Sequence, residues 1–436
     1  MNTHPLPLRA QAELLDRWLS QRLDTVLPRL MDRAGVDTWI VVAREYNEDP
    51  VFRALLPGSW LSARRRTILV FHRSSPGVQC LAVAPYPVGT APAPAINAPT
   101  ADCRQPHSAA GRGGPYTSVW DPSEESQWAA LHRTVAERDP TRIGVNVSQT
   151  FALADGMSAT EHRLTLEAMG EFADRVVPAE AVAIGLLETR LTEEIATAHE
   201  LNALAHQVIA EAFSADVVKP GQATGLDVAW WIQQRFHDLG VPPWFLSTVD
   251  IQRCGTQLGD VPDEAVIEPG DLLHCDVGLT SVRLHTDTQQ NAYVLRDGES
   301  GPPDGLVEAL AVGNRMQDLT VAEFDRGGTG NDILLRARAA AAGAGIEADL
   351  YSHPVGLHGH AAGPTIGLWD NQVSVPGSGD YPVYDDTIYA LELCTYSPVP
   401  EWGDQRVRMA LEQGIAVTGG KVEYLDRRQT ALHLIG

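Results

Sequence analysis

The chain has 436 residues, which at roughly 150 residues per domain points to about two or three domains rather than one globule. Apolar residues make up 44% and charged residues 20%, a balance that excludes disordered and collagen-like classes. With 56 acidic against 33 basic residues and a formal charge of −23, the chain is a poor partner for a nucleic-acid backbone or an anionic membrane. The first thirty residues interleave Arg9, Glu13, Asp16, Arg17, Arg22 and Asp24 with apolar positions, so no signal-peptide core is expected there. No stretch reaches the roughly eighteen consecutive apolar residues of a bilayer span. A soluble, cytoplasmic protein is expected. Cys80, Cys103, Cys254, Cys275 and Cys394 are scattered, without a Cys-x-x-Cys pair, and are expected to be buried, reduced thiols.

The first 187 residues alternate helix and strand, which predicts a small α/β domain. Leu14, Leu15, Trp18, Leu19 and Leu23 share one face of an N-terminal helix. Strands are expected at Thr38–Ala43, Thr67–Phe71, Cys80–Val83 and Ile143–Val147. Ala84–Ser118 is rich in Pro, Ala and Gly and predicts a long loop. A helix is expected to start at Asp121, with Pro122 in its first position and Trp128, Leu131 and Val135 on its apolar face. The texture changes near 188, where a second domain (188–436) is expected to begin. Its first helix is predicted from Thr192 to a stop at Lys219-Pro-Gly221.

The second half contains a repeat at an offset of 105 residues. Thr224-Gly-Leu-Asp227 and Thr329-Gly-Asn-Asp332 both read as capping boxes, in which a Thr hydroxyl and an Asp satisfy the free amides of a helix start. Gly240 then matches Gly345, and Ser247 matches Ser352. The pattern reads as a duplicated unit of helix followed by antiparallel strands; two unrelated helix–strand units remain the alternative.

Each half places one acid inside an apolar strand, Asp276 within Leu272–Gly278 and Glu392 within Ile388–Cys394. Burying a carboxylate is costly unless it is paired or bound to a metal. Each has an acidic companion downstream, Asp287 and Glu412, at a distance suited to a returning antiparallel strand. Between the pairs stand His353, His358 and His360. Four carboxylates with imidazole make a candidate site for two metal ions with mostly oxygen ligands, better suited to Mn or Co(II) than to structural Zn. Taken singly, Asp287 reads as a turn residue and Glu412 as a surface acid. His358 is expected to be structural, and His274 and His285 to be partners of the ligands or solvated.

At these residues the sequence resembles the superfamily of methionine aminopeptidase, aminopeptidase P, prolidase and creatinase, the pita-bread fold. Gly270-Asp-Leu-Leu-His-Cys-Asp-Val-Gly278 is similar to its first-ligand strand and Leu284-His-Thr-Asp287 to its second. Ser352-His-Pro-Val-Gly-Leu-His-Gly-His360 is similar to its Gly-His-Gly-Ile-Gly-Leu-x-x-His segment. Ala390-Leu-Glu392 and Glu412–Gly420 resemble its two glutamate segments. The resemblance implies an α+β chain: a pita-bread catalytic domain behind a smaller creatinase-like N-terminal domain. It implies Asp276, Asp287, His353, Glu392 and Glu412 as ligands of two divalent ions, Mn or Co first and Zn next. Glu392 would be the proton carrier and His360 the substrate-contacting histidine. The expected activity is that of an Xaa-Pro aminopeptidase or dipeptidase acting on small peptides, with Arg406 or Arg408 as candidate contacts for a substrate carboxylate. A homodimer is also implied.

The chain departs from the pattern at four places. Thr288-Gln289-Gln290-Asn291 stands where the peptidases have Thr-Arg-Thr, and no histidine occurs near Gly259 and Asp260. Ala410 replaces an Arg, and no Glu follows His360. The alternatives are a non-peptidase hydrolase on the same fold and a binding protein without turnover.

Overall fold

The computed structural model describes residues 6–75, 77–89 and 114–436. They divide into two units, Leu6–Leu187 and Glu188–Gly436.

The first unit opens with helix α1 (Leu8–Gln21), which continues through a wide turn at Arg22–Val26 into α2 (Leu27–Ala34). Pro28 has no N–H to donate back one turn, which accounts for the widened hydrogen-bond spacing just before it. Leu14, Trp18, Leu19 and Leu23 are buried as the apolar face requires. Strands β1 (Thr38–Arg44), β2 (Arg66–Arg73), β3 (Val78–Val83), β4 (Thr117–Ser118), β5 (Ile143–Val145) and β6 (Val176–Pro178) form a mixed sheet in the order β4-β3-β2-β1-β5-β6. Helices α3 (Gln127–Ala136) and α4 (Ala159–Met169) supply Ala130, Leu131, Val135 and Met169 to a core with Ile40, Val70 and Ile143. Helix α3 begins five residues later than expected. Asp121 instead closes a turn by accepting from the Ser123 amide, and Ser126 is the cap, accepting from the Ala129 amide at 3.2 Å. Most of the Pro-rich tract, with Cys103, lies outside the described residues.

The second unit begins at the last residue of α5 (Glu180–Glu188) and continues with α6 (Thr192–Ala212) and α7 (Gly225–Asp238). Glu194 caps α6 by accepting from the Leu191 amide at 2.7 Å, so Thr192 is the first helical residue rather than the cap. The helix stops at Ala212, and a separate turn leads to Lys219-Pro-Gly221. Strands β7 (Thr248–Gln252), β8 (Leu272–Val277), β9 (Thr280–Ser281), β10 (Leu284–His285) and β11 (Thr288–Val294) follow. After α8 (Asp304–Asp325) and α9 (Gly330–Gly343) come β12 (Glu347–Leu350), β13 (His353–Pro354), β14 (Thr387–Val399), β15 (Gln405–Thr418), β16 (Lys421–Tyr424) and β17 (His433–Ile435). The duplication is visible in the helices. Both α7 and α9 have 14 residues, start 105 residues apart, and carry the expected Thr–Asp capping boxes.

The main path of the large sheet runs β12-β14-β15-β11-β8-β7. Its neighbours on that path pair antiparallel, and alternation therefore sorts the side chains into two faces. Leu272, Tyr293, Met409 and Leu411 pack against Leu306, Ala309 and Leu310 of α8. Leu391, Leu393 and Ile415 pack against Met316 and Phe324 of α8 and Ile333, Leu334 and Ala337 of α9. Each such burial contributes about 1.5–3 kcal/mol and fixes the register. A slip of one residue would turn the other face, which carries the acids, into the helices.

Candidate metal centre and active site

The register aligns one row of side chains across four strands. Glu392 of β14 stands opposite Glu412 of β15, Glu412 opposite Gln289 of β11, and Gln289 opposite Asp276 of β8. Asp287 precedes β11 by one residue and lies on the same face. His353 enters from β13, which pairs with β14 at Ala390. Its Nε2 lies 3.5 Å from Asp287 Oδ2, 3.6 Å from Glu412 Oε1 and 3.8 Å from Glu392 Oε2. Ligand atoms of Asp276, Asp287 and Glu412 approach within 4.8 Å of one another, as do those of His353, Glu392 and Glu412. The two overlapping groups share Glu412.

Asp287 and Glu412 are 5% and 1% exposed, yet Asp276 Oδ1, both Glu412 oxygens and His353 Nε2 have no hydrogen-bond donor or acceptor. Burial first, and the Glu412 charge second, push Asp276 up to about 8; burial pushes Glu412 up to about 8 against the lowering effect of Gln289 and Asp287. Asp287 and Glu392 are raised for the same reasons, burial and then Glu412. Buried polar atoms without partners are expensive. Here they converge, all are acceptors, and the donor set of four carboxylates and one imidazole suits hard divalent cations. Two such ions balance the four negative charges. The residues fit a divalent metal centre.

This electrostatics has a pH signature. The folded-state pKa values of these acids lie above the unfolded values near 4, so without metal the folded state holds more protons. Their contribution to stability is complete below about pH 4 and is lost as pH rises toward about 8. A cation takes over from the protons at the high end. The rise in thermal midpoint on adding Mn(II) is therefore expected to be larger at pH 8 than at pH 6, by differential scanning calorimetry; equal rises would contradict this origin.

A cavity of about 300 Å³ opens beside the acids, lined among others by Thr248, Tyr351, Trp369, Tyr396, Arg408 and Ala410. Arg408 is on its wall, where its Nη2 donates to Asp250 at 3.2 Å. Arg406 lies outside that lining, stacked on Tyr396 and paired with Glu347. Gly259 and Asp260 sit in a turn, and the β7 residue opposite Asp276 is Thr248.

His360 is exposed, but its ring stands 4.7 Å from that of His353, and its nitrogen belongs to a third close group with Asp287 and His353. Trp244, which the sequence reading did not single out, braces it edge-on at 5.3 Å and donates from Nε1 to the Thr286 carbonyl. A Cβ at Gly359 would meet the Trp244 ring at 2.3 Å, and one at Gly278 would meet its Nε1 at 2.2 Å, so both glycines are required by this packing. His285 contacts the Gly356 carbonyl at 2.9 Å, and the His358 carbonyl accepts from the Gly356 amide. His274 is buried, with Nδ1 beside Asp250 and Nε2 beside Gln289. Among the described cysteines Cys275 is buried, whereas Cys254 is exposed, contrary to expectation, because it lies in the turn after β7.

An antiparallel sheet that packs one face on α8 and α9 and presents a cluster of acids and an imidazole from the other fits a metal-dependent hydrolase of the pita-bread class. A sequence profile of metallopeptidase family M24 matches residues 193–418, just over half the chain, and the protein belongs to that family. Comparison with curated protein sequences returns no match. Among solved structures, the chain is similar to an X-Pro aminopeptidase from Thermotoga maritima (TM-score 0.62, 17% identity, covering 93% of this chain and 99% of that one). It is also similar to an Xaa-Pro dipeptidase from Bacillus anthracis (TM-score 0.59, 17% identity, 97% and 99% covered). A third likeness is to a putative aminopeptidase P from Bacillus anthracis (TM-score 0.62, 11% identity, 95% and 96% covered). These likenesses extend over the N-terminal unit as well as the catalytic one. No helix among the described residues is long and apolar enough to cross a membrane.

Proposed function

We propose that the protein hydrolyses the peptide bond preceding proline in small peptides, as an Xaa-Pro aminopeptidase or Xaa-Pro dipeptidase. Its centre takes two divalent ions, Mn(II) or Co(II) first. The observation that carries this reading is the convergence of four buried or half-buried, mutually repelling carboxylates and one imidazole, with unpartnered acceptor atoms on Asp276, Glu412 and His353. Solved structures similar over nearly the whole chain bear the names X-Pro aminopeptidase and Xaa-Pro dipeptidase, which supports this specificity.

Asp276, Asp287, His353, Glu392 and Glu412 would hold the ions. Bound there, divalent ions lower the pKa of a water toward neutrality and polarise the scissile carbonyl. Glu392 accepts the proton of the attacking water at its free oxygen and passes it to the leaving nitrogen. His360, braced by Trp244, donates a hydrogen bond to the oxygen that develops negative charge. His360→Ala is expected to lower kcat by about 10²- to 10³-fold with metal content unchanged, since removing one such donor costs that much. Unchanged turnover would remove His360 from this role.

The test is the Mn(II)-loaded protein assayed against Xaa-Pro dipeptides and longer Xaa-Pro-Xaa peptides. Turnover of dipeptides alone makes it a dipeptidase, and turnover of the longer peptides makes it an aminopeptidase. Inertness on the whole panel with metal fully bound contradicts the proposal and points to another hydrolase. Failure to bind metal points to a protein without turnover.

A further inference from the structure

The row of acids contains one member that is not an acid. Gln289 sits between Glu412 and Asp276, 4% exposed, and its Nε2 donates to Glu392 Oε1 at 2.8 Å. That leaves Glu392 Oε2 as the oxygen facing His353. The carbonyl oxygen of the same amide meets His274 Nε2 at 2.9 Å. His274 Nδ1 in turn lies 3.1 Å from Asp250 Oδ2, which also accepts from Arg408. Four side chains from β7, β8, β11 and β15 thus lead to the one carboxylate assigned to proton transfer.

Resting on that assignment of Glu392, we propose that Gln289, His274 and Asp250 are positioning residues that restrict Glu392 to presenting one oxygen to the metal positions. An amide side chain has two nearly isosteric orientations. Reversed, the Gln289 amide would aim its oxygen at a carboxylate oxygen and its N–H groups at His274 Nε2. With Nε2 carrying a proton, His274 selects the orientation in which the amide nitrogen faces Glu392, and Asp250 holds the imidazole in place. With Oε1 tied to Gln289, Glu392 cannot swing to grip an ion with both oxygens, and Oε2 stays available for coordination and proton transfer. The chain's own departures build this arrangement. Gln289 lies within the segment that stands in place of Thr-Arg-Thr, and the cavity wall at Ala410 holds only a methyl group beside Arg408.

The test uses Co(II)-loaded protein, whose visible absorption reports ligand geometry without any substrate. Gln289→Met is expected to change that spectrum, weaken Co(II) binding by about 10- to 100-fold and lower kcat over the same range, as loss of such outer partners does. KM should move far less, because the interaction acts on the reacting group rather than on binding. His274→Leu should reproduce these effects, whereas His274→Gln, which retains a donor, should restore most of the wild-type spectrum and turnover. The double variant His274→Leu/Gln289→Met should be no worse than Gln289→Met alone, because the two residues act in series. An unchanged Co(II) spectrum and affinity in Gln289→Met, or additive losses in the double variant, would overturn the proposal. If Gln289→Met does not fold, the contrast between His274→Leu and His274→Gln decides the matter, and equal spectra in those two overturn it. Absence of Xaa-Pro turnover by the wild-type protein sinks the functional reading instead, and the spectra still decide the positioning role.

Discussion

Glu392→Gln is expected to lower kcat by about 10²- to 10⁴-fold, the range that a positioned general base supplies. The substitution preserves volume, so the fold and the packing of β14 on α8 and α9 should persist. Its effect follows from the tie to Gln289. The new amide will turn its oxygen toward the Gln289 donor, which places an NH₂ group where Glu392 Oε2 now faces His353. One substitution thus removes the proton acceptor and one ligand atom together, and metal affinity should fall along with turnover. Steady-state kinetics at saturating Mn(II), paired with a metal titration, separates the two losses. Full turnover in this variant would sink the assignment of Glu392.

Asp287→Asn carries the second large expectation, and its sign reverses with metal. Asp287 is buried among Glu412, Asp276 and Glu392, whose charges raise its pKa further after burial has done so. Without metal, replacing it by a neutral isostere relieves repulsion, so the thermal midpoint at pH 8 should rise or hold. With Mn(II) present, the variant lacks a ligand from the group it forms with Asp276 and Glu412. The stabilisation by metal should then shrink, and metal affinity should fall by more than the about 10- to 100-fold typical of outer partners. A variant less stable than wild type without metal, yet equally stabilised by metal, would mean that Asp287 serves the fold rather than the centre.

How much of this was legible in the sequence depends on the range of the physics involved. The capping boxes at Thr224 and Thr329 and the strands at Thr38 and Thr67 are local patterns, and the structure contains them. The start of α3 was misread because Asp-Pro serves a turn as well as a helix, and Ser126 competed successfully for the capping position. Asp276 and Glu392 were visible as acids within apolar runs, whereas Asp287, Glu412 and His353 stood out only through their order and spacing, and the row that unites the acids follows from alternation once the strands pair. Register across strands far apart in sequence was not legible. Gln289 therefore passed as a departure from the family pattern, and nothing in the sequence placed Asp250 beside His274 or Arg408 beside Asp250. Trp244 was missed for the same reason: its contacts are Gly278, Gly359 and His360, brought together only by the fold. Arg406 and Arg408 share a face of β15, but only Arg408 reaches the cavity.

The central claim is that these five side chains hold two divalent ions. It is tested most directly by anomalous diffraction from crystals grown with Mn(II), collected at the manganese edge. The account predicts two peaks about 3.5–4 Å apart, as in other two-metal hydrolytic sites, lying among Asp276, Asp287, His353, Glu392 and Glu412. Full manganese loading with peaks elsewhere on the chain, or no manganese bound between these residues, would contradict it.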